Sequence, residues 1–285
     1  MSAPHLVLPP GGPLELPDRG TTFIRHLDGP ADAPTVFLLH GWTATADLNW
    51  GSAYEALGRH FRVVAIDHRG HGRGIRPPGR FRLRDCADDV VAVCDALGID
   101  RFVPVGYSMG GPIAQLTWKR HPDRVDGLVL CATSRNFSGS QGERMLFGAM
   151  PALAATARLT PGTARRRFTE RYVTGRFDDT PVGRWAADEV RRADSVKLIE
   201  AGASLGRFDS SPWIDRVDVP TAVVLTELDL AVPPERQRAL ANSIETARVH
   251  PVPGDHAVCV SDPGAFVPRL VEACLDVTRR TAVRF

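Results

Sequence analysis

Lysine is nearly absent from this chain. Its 285 residues contain Lys119 and Lys197 and otherwise draw all their basic charge from arginine. We read this as the codon usage of a GC-rich genome, which weakens arginine clusters as signs of anion binding. A surplus of one charge is also lacking. The net charge of +2 gives no electrostatic reason to expect nucleic acid or an anionic membrane as a partner. No apolar run approaches the roughly 18 residues of a membrane-spanning helix. The opening MSAPHLVLPPGG lacks the basic and apolar regions of a signal peptide. The five cysteines are an odd number without a framework spacing. Cys86 and Cys94 fall in one predicted helix, about 12 Å apart along its axis, too far for a disulfide. Reduced, buried thiols in a cytoplasmic protein are therefore expected. No repeat or low-complexity tract is present.

What is present is alternation. After a Pro- and Gly-rich arm with a short edge strand, LEL, over residues 1–20, strand-like and helix-like runs follow one another. TTFIRHL, PTVFLLH, RVVAID, RFVPVG and VDGLVLCAT read as strands, several of them apolar throughout, as strands buried on both faces are. GSAYEALGRHF, LRDCADDVVAVCDALGI and MGGPIAQLTWKRH read as helices, the second ended by Gly98. Such alternation requires crossovers and a mostly parallel sheet. The rhythm stops after Thr133. Residues 134–207 offer helical pieces instead, among them ERMLFGAMPALAATARL and DEVRRADSVKLIEAGASL. It resumes with TAVVLTE, PPERQRALANSI, ARVHPV and AFVPRLVEACLDVTRR. The expected organisation is an α/β core over 21–133 and 208–285 with a helical insertion at 134–207.

At the end of RFVPVG stands GYSMG, Gly106 to Gly110. It fits the G-x-S-x-G elbow that lifts a serine above the edge of a sheet, between a buried strand and a helix. Gly106 and Gly110 are explained by a turn too tight for a Cβ. Ser108 would sit at a helix N-terminus, where free N–H groups favour negative charge. An ordinary serine cap in a glycine-rich turn is the alternative. A serine nucleophile needs a base, and elbow folds order their triad Ser, Asp/Glu, His. PVPGDHAV places His256 in a loop after a late strand, and TAVVLTELDLAVP ends its own strand near Asp229. Glu227 and Asp255 are the competing acids. Glu227 stands nearer the strand and is expected to point elsewhere, and Asp255 adjoins the histidine. The N–H groups of Met109, after the nucleophile, and Trp42, in LLHGW, are candidate oxyanion donors.

These pieces, with DHRGHG at Asp67–Gly72 and ELDLAVP at Glu227–Pro233, resemble the α/β-hydrolase superfamily in its serine-nucleophile branch, over roughly residues 21–285. The resemblance implies a mostly parallel eight-stranded sheet flanked by helices, a helical lid at 134–207, and a Ser–His–Asp triad without a cofactor. Asp67 is expected to fix its loop by accepting hydrogen bonds. Arg73–Gly74 stand where the superfamily often has a serine, so that loop is expected to differ. His68 and His71 form an H-x-x-H, but no third ligand and no helix support a metal there, and none is expected.

Ser108 excludes the aspartate-nucleophile branch, with its haloalkane dehalogenases and epoxide hydrolases. The expected activity is acyl transfer from a small or medium apolar ester to water. Tyr107, Phe137, Met145, Leu146, Phe147, Met150 and Val232, with Trp42, are candidate pocket residues, against the alternative that the lid residues only pack on the core. GYSMGG also occurs in carbon–carbon bond hydrolases, enol-lactonases, a menaquinone-pathway lyase and perhydrolases of the same fold. Several of these take carboxylated substrates, and Arg165, Arg166 and Arg167 raise that alternative here. A non-catalytic ligand-binding module is the alternative from another class.

Overall fold

The alternation seen in the sequence becomes one eight-stranded sheet. The computed structural model describes residues 6–175 and 179–283, without the side chains of positions 166, 168 and 172–174. The strands are β1 (Gly11–Leu16), β2 (Gly20–Leu27), β3 (Thr35–Leu39), β4 (Arg62–Ile66), β5 (Val103–Tyr107), β6 (Leu128–Cys131), β7 (Thr221–Thr226) and β8 (Ala247–Val252). Their spatial order is β1-β2-β4-β3-β5-β6-β7-β8. β2 pairs antiparallel with both β1 and β4, and every later pairing is parallel.

The central strands β3, β5, β6 and β7 are buried at every residue, so they are mostly apolar, with threonines only at strand ends, rather than alternating. Alternation instead sorts their side chains to opposite faces. Phe37 and Leu39 join one core, and Val36 and Leu38 join the other. The first core is closed by α3 (Leu83–Ala96) and α4 (Gly110–Arg120). The second is closed by α1 (Ala46–Trp50), α2 (Tyr54–Gly58), α10 (Val258–Ser261) and α11 (Pro263–Ala282). The five cysteines are free and buried, two in the first core and three in the second.

Between β6 and β7 lie four helices: α5 (Gln141–Leu159), α6 (Gly162–Thr174), α7 (Pro181–Arg191) and α8 (Ser195–Gly206); α9 (Pro234–Ala241) follows β7. No strand interrupts the described residues of this segment, apart from an isolated bridge between Asn136 and Asp209. DEVRRADSVKLIEAGASL is two helices rather than one. Asp194 caps α8 by accepting from Val196 N (2.9 Å) and Lys197 N (3.3 Å), and its own N–H donates to Gly70 O at 2.9 Å. A short polar residue that satisfies free helix N–H groups starts a helix even within a helical pattern. The short α1 has no counterpart in the sequence reading. It is capped by Thr45, whose hydroxyl accepts from Leu48 N at 3.2 Å. Among the described residues no helix is long and apolar enough to cross a membrane.

Candidate active site

The register of the parallel strands decides where the site can form. Leu39 pairs with Gly106, Tyr107 with Cys131 and Thr226 with Val252, so the C-terminal ends of five adjacent strands share one edge. Ligands bind at that edge in folds of this kind. Ser108 follows β5 directly, with φ at 51°. A non-glycine residue held there is strained and has to be over-determined by its surroundings. Its N–H donates to Cys131 O at 2.9 Å, and its carbonyl accepts from Thr133 Oγ1 (2.8 Å) and Gly111 N (3.0 Å). A Cβ on Gly106 would lie 2.2 Å from Gly110 O, and one on Gly110 2.1 Å from Leu39 O. Both glycines are therefore required by the turn.

His256 lies just after β8 and meets Ser108 from the side. Its Nε2 is 2.9 Å from Ser108 Oγ, and its Nδ1 is 2.7 Å from Asp229 Oδ2. Asp229 is fully buried in its side chain and surrounded by donors. Oδ1 accepts from Ala231 N (2.9 Å) and Val232 N (2.8 Å). Oδ2 accepts from His256, from Thr226 Oγ1 (2.8 Å) and from Gln237 Nε2 (3.3 Å). Burial alone would raise this carboxyl, but the hydrogen bond and charge of His256, then Val232 N–H and Thr226, hold it below the ordinary value. A carboxylate fixed at Nδ1 leaves Nε2 as the lone-pair nitrogen facing the serine, the arrangement a general base needs. The competing acids are both exposed. The acid at His256 Nδ1 is Asp229, and Asp255 accepts from Ala257 N at 2.8 Å.

Tyr107 lies beneath this chain of groups. It is buried, its ring is 5.8 Å from that of His256, and its hydroxyl donates to His256 O at 2.9 Å. It holds the backbone of His256 in place and does not line the cavity. Gln237, Thr226 and Tyr107 are the supporting groups that sequence reasoning missed in this role. Gln237 sits in α9 with no periodicity to mark it, and only its distance from ELD could have suggested it.

The loop after β3 closes over the serine. Gly41 stands close enough that an added Cβ would be 3.4 Å from Ser108 Cβ. Gly41 N donates to Asn49 Oδ1 at 2.8 Å, Thr43 has φ at 63°, and Trp42 Nε1 donates to Leu198 O of α8 at 2.8 Å. His40, His68 and His71 pack as three rings beneath the loop. Burial lowers all three, His40 to about 4 and His71 to about 3, so they are neutral at pH 7. His40 Nε2 accepts from His68 N at 2.9 Å, and His68 Nε2 donates to His40 O at 3.1 Å. Among the described residues no group of three or more His, Cys, Asp or Glu side chains is arranged to hold a metal. Asp67 accepts from Ala46 N and Arg73 N, both at 2.8 Å. Arg73 then reaches Asp47 at 2.7 Å, tying this loop to α1.

A cavity of about 830 Å³ opens onto Ser108 and His256. Trp42, Phe137, Leu146, Phe147 and Val232 line it, with Leu153, Ala157, Thr160 and Arg165 further along. Met145 and Met150 do not. Met145 is exposed on α5, whereas Met150 is buried between α5 and α8, its Sδ facing Gly202. Of the three consecutive arginines, Arg165 lines the cavity and Arg167 is exposed; the Arg166 side chain lies outside the described residues.

A family model described as the alpha/beta hydrolase fold matches residues 34–263. The putative carbamate hydrolase RutD of Agrobacterium fabrum is 28% identical over 256 residues, covering 86% of this chain and 94% of the relative. The pimeloyl-[acyl-carrier protein] methyl ester esterase of Nitrosospira multiformis is 27% identical over 261 residues, covering 86% of this chain and 96% of the relative. Among solved structures, the enol-lactonase of Burkholderia xenovorans superposes with a TM-score of 0.72 at 26% identity, over 93% of this chain and all of that one. A hydrolase from Pseudomonas aeruginosa gives 0.78 at 25% identity, over 93% and 98% of the two chains. With the family model spanning most of its length, the chain belongs to the α/β-hydrolase family and is a hydrolase of that fold.

Proposed function

We propose that the chain is a carboxylesterase-type serine hydrolase acting on esters with an apolar acyl part. The observation that carries this reading is the unbroken contact chain from Asp229 through His256 to Ser108, at 2.7 and 2.9 Å, facing a mostly apolar cavity. Ser108 Oγ attacks the ester carbonyl as His256 Nε2 takes its proton. The N–H groups of Trp42 and Met109 receive the oxyanion, and fixed donors at that point are worth several kcal/mol, about 2.7–4 each. The intermediate collapses as His256 returns the proton to the leaving alcohol. Water, activated by the same nitrogen, then releases the acid. Asp229 holds the ring in the tautomer that can accept a proton and stabilises its charged form.

The four helices between β6 and β7 act in this reading as a lid, since α5, α6 and α8 wall the cavity opposite the serine. The likeness to a methyl ester esterase and an enol-lactonase favours an acyl–oxygen bond as the one cleaved. Free buried thiols suit a reducing compartment such as the cytoplasm. The test is a fluorophosphonate probe with a panel of chromogenic esters. Ser108 is the labelled residue, and Ser108→Ala removes both labelling and all but the roughly 10³–10⁴-fold acceleration over water that binding alone supplies. Retention of a substantial share of wild-type turnover by Ser108→Ala would overturn the assignment.

A further inference from the structure

We propose, on the basis of that reading, that Arg165 is a specificity residue that binds a carboxylate at the far end of the substrate, so that the preferred esters carry an ω-carboxylated acyl chain. The cavity runs along α5. Near the serine, Phe147 stands against Trp42 with ring centroids 6.2 Å apart. Further along, Ala157 lines the same cavity, and Arg165 Nη1 donates to its carbonyl at 3.3 Å. Ten helical residues separate Phe147 from Ala157, about 15 Å at 1.5 Å per residue. An extended chain covers about 1.2 Å per bond, a third of one residue's reach. The stretch of cavity between Phe147 and the guanidinium therefore spans on the order of a dozen bonds of extended chain.

Arg165 has no carboxylate partner among the described residues; its one side-chain hydrogen bond there is to Ala157 O. Glu143, the acid lining the same cavity, is already held by Arg236 and by Ser140 N. Beyond Arg165 lies a second cavity of about 420 Å³, which shares Arg165, Thr169 and Ser195 with the first and adds Arg76. Its acids are engaged too: Glu170 pairs with Arg191, and Asp194 caps α8. An apolar channel thus ends at an unneutralised, half-buried guanidinium, whose planar fork matches a carboxylate.

The test compares p-nitrophenyl dodecanoate with mono-p-nitrophenyl dodecanedioate, which has the same chain with a terminal carboxylate. Wild-type protein is expected to favour the acid ester in kcat/KM by about tenfold or more, the worth of one charge-assisted hydrogen bond. Arg165→Gln removes that preference through KM, raising KM for the acid ester about tenfold more than for the neutral one; Arg165→Lys restores part of it. Equal kcat/KM for the two esters in the wild type, or an equal loss on both in Arg165→Gln, overturns the proposal. If neither ester is turned over, the esterase reading has failed, and binding decides the matter separately. Calorimetric titration of monomethyl dodecanedioate into Ser108→Ala and Ser108→Ala/Arg165→Gln supports the proposal if the second binds about tenfold more weakly. It overturns the proposal if the two bind alike.

Discussion

Replacing Asp229 by asparagine changes one atom in a cage of donors, and the structure allows its effects to be worked out separately for catalysis and stability. The amide oxygen can keep the two bonds from Ala231 and Val232. The NH2 group must then face Thr226 Oγ1, Gln237 Nε2 and His256 Nδ1. The threonine hydroxyl can rotate to accept. The Gln237 amide cannot, although it keeps its bond to Val232 O at 2.7 Å. The imidazole adapts by moving its proton to Nε2, which faces Ser108 and can then no longer accept one. The expected loss in kcat is about 10⁴, or about 5.4 kcal/mol at 1.36 kcal/mol per tenfold. The stability cost is smaller, about 1–3 kcal/mol for the mismatched donors, a Tm drop of a few degrees at about 2–4 °C per kcal/mol. A pH signature follows as well. The folded pKa of Asp229 is depressed, so its contribution is complete above the unfolded carboxyl range and is lost as pH falls below about 4. Asp229→Asn flattens that acid limb. The assay is kcat at saturating chromogenic ester beside Glu227→Gln, with circular dichroism melts from pH 2 to pH 7. A folded Asp229→Asn keeping more than a tenth of kcat, or a more damaging Glu227→Gln, would refute the reasoning.

Two further predictions concern the helices over the site. Phe147→Ala, at the cavity wall, should change the ranking of acyl chain lengths, whereas Met150→Ala, at the α5–α8 contact, should cost about 2 kcal/mol or more in stability and leave the ranking alone; ester panels and melts on the two variants separate these outcomes. Glu189 on α7 is buried, and that burial raises its carboxyl despite the charge of Arg73 and the hydrogen bond from Thr45. Its folded form thus holds a proton to higher pH than the unfolded chain, so stability falls as pH rises through that interval. Glu189→Gln should raise Tm at pH 7 and show no gain below about pH 4, under the unfolded value; calorimetry at both pH values checks this, and a lower Tm at pH 7 would count against it.

The parallel sheet and the meeting of Ser108, His256 and Asp229 were legible because each leaves a local mark. A strand buried on both faces is apolar along its interior, as β3 is after Thr35 and β7 is between Thr221 and Thr226, and a nucleophile turn must have glycines where a Cβ would strike Leu39 O or Gly110 O. Asp229 and His256 could be found from the chain order that the elbow imposes. Tyr107 could not be given its role, because it acts through a hydrogen bond to His256 O, 149 positions away; Thr226 and Gln237 lie only 3 and 8 positions from Asp229, but polar contacts made through a loop leave no periodic mark in the sequence. The division of one helical run into α7 and α8 was missed because Asp194 caps a helix while lying in an otherwise helical pattern. The apolar residues of α5 were read as one group. Only the packing of α8 shows that Phe147 faces the cavity, Met150 the neighbouring helix and Met145 the solvent.

The five buried thiols turn the protein into its own recorder of unfolding. Burial pushes each of them well up, Cys259 to about 12 and the others beyond it or in the same direction, and the reactive thiolate is scarce under such conditions. A water-borne alkylating reagent therefore meets no competent sulfur until the chain opens. Cys86 and Cys94 report on one side of the sheet, and Cys131, Cys259 and Cys274 on the other. The order in which they are alkylated distinguishes two layers that separate together from two that let go one after the other, without any added label.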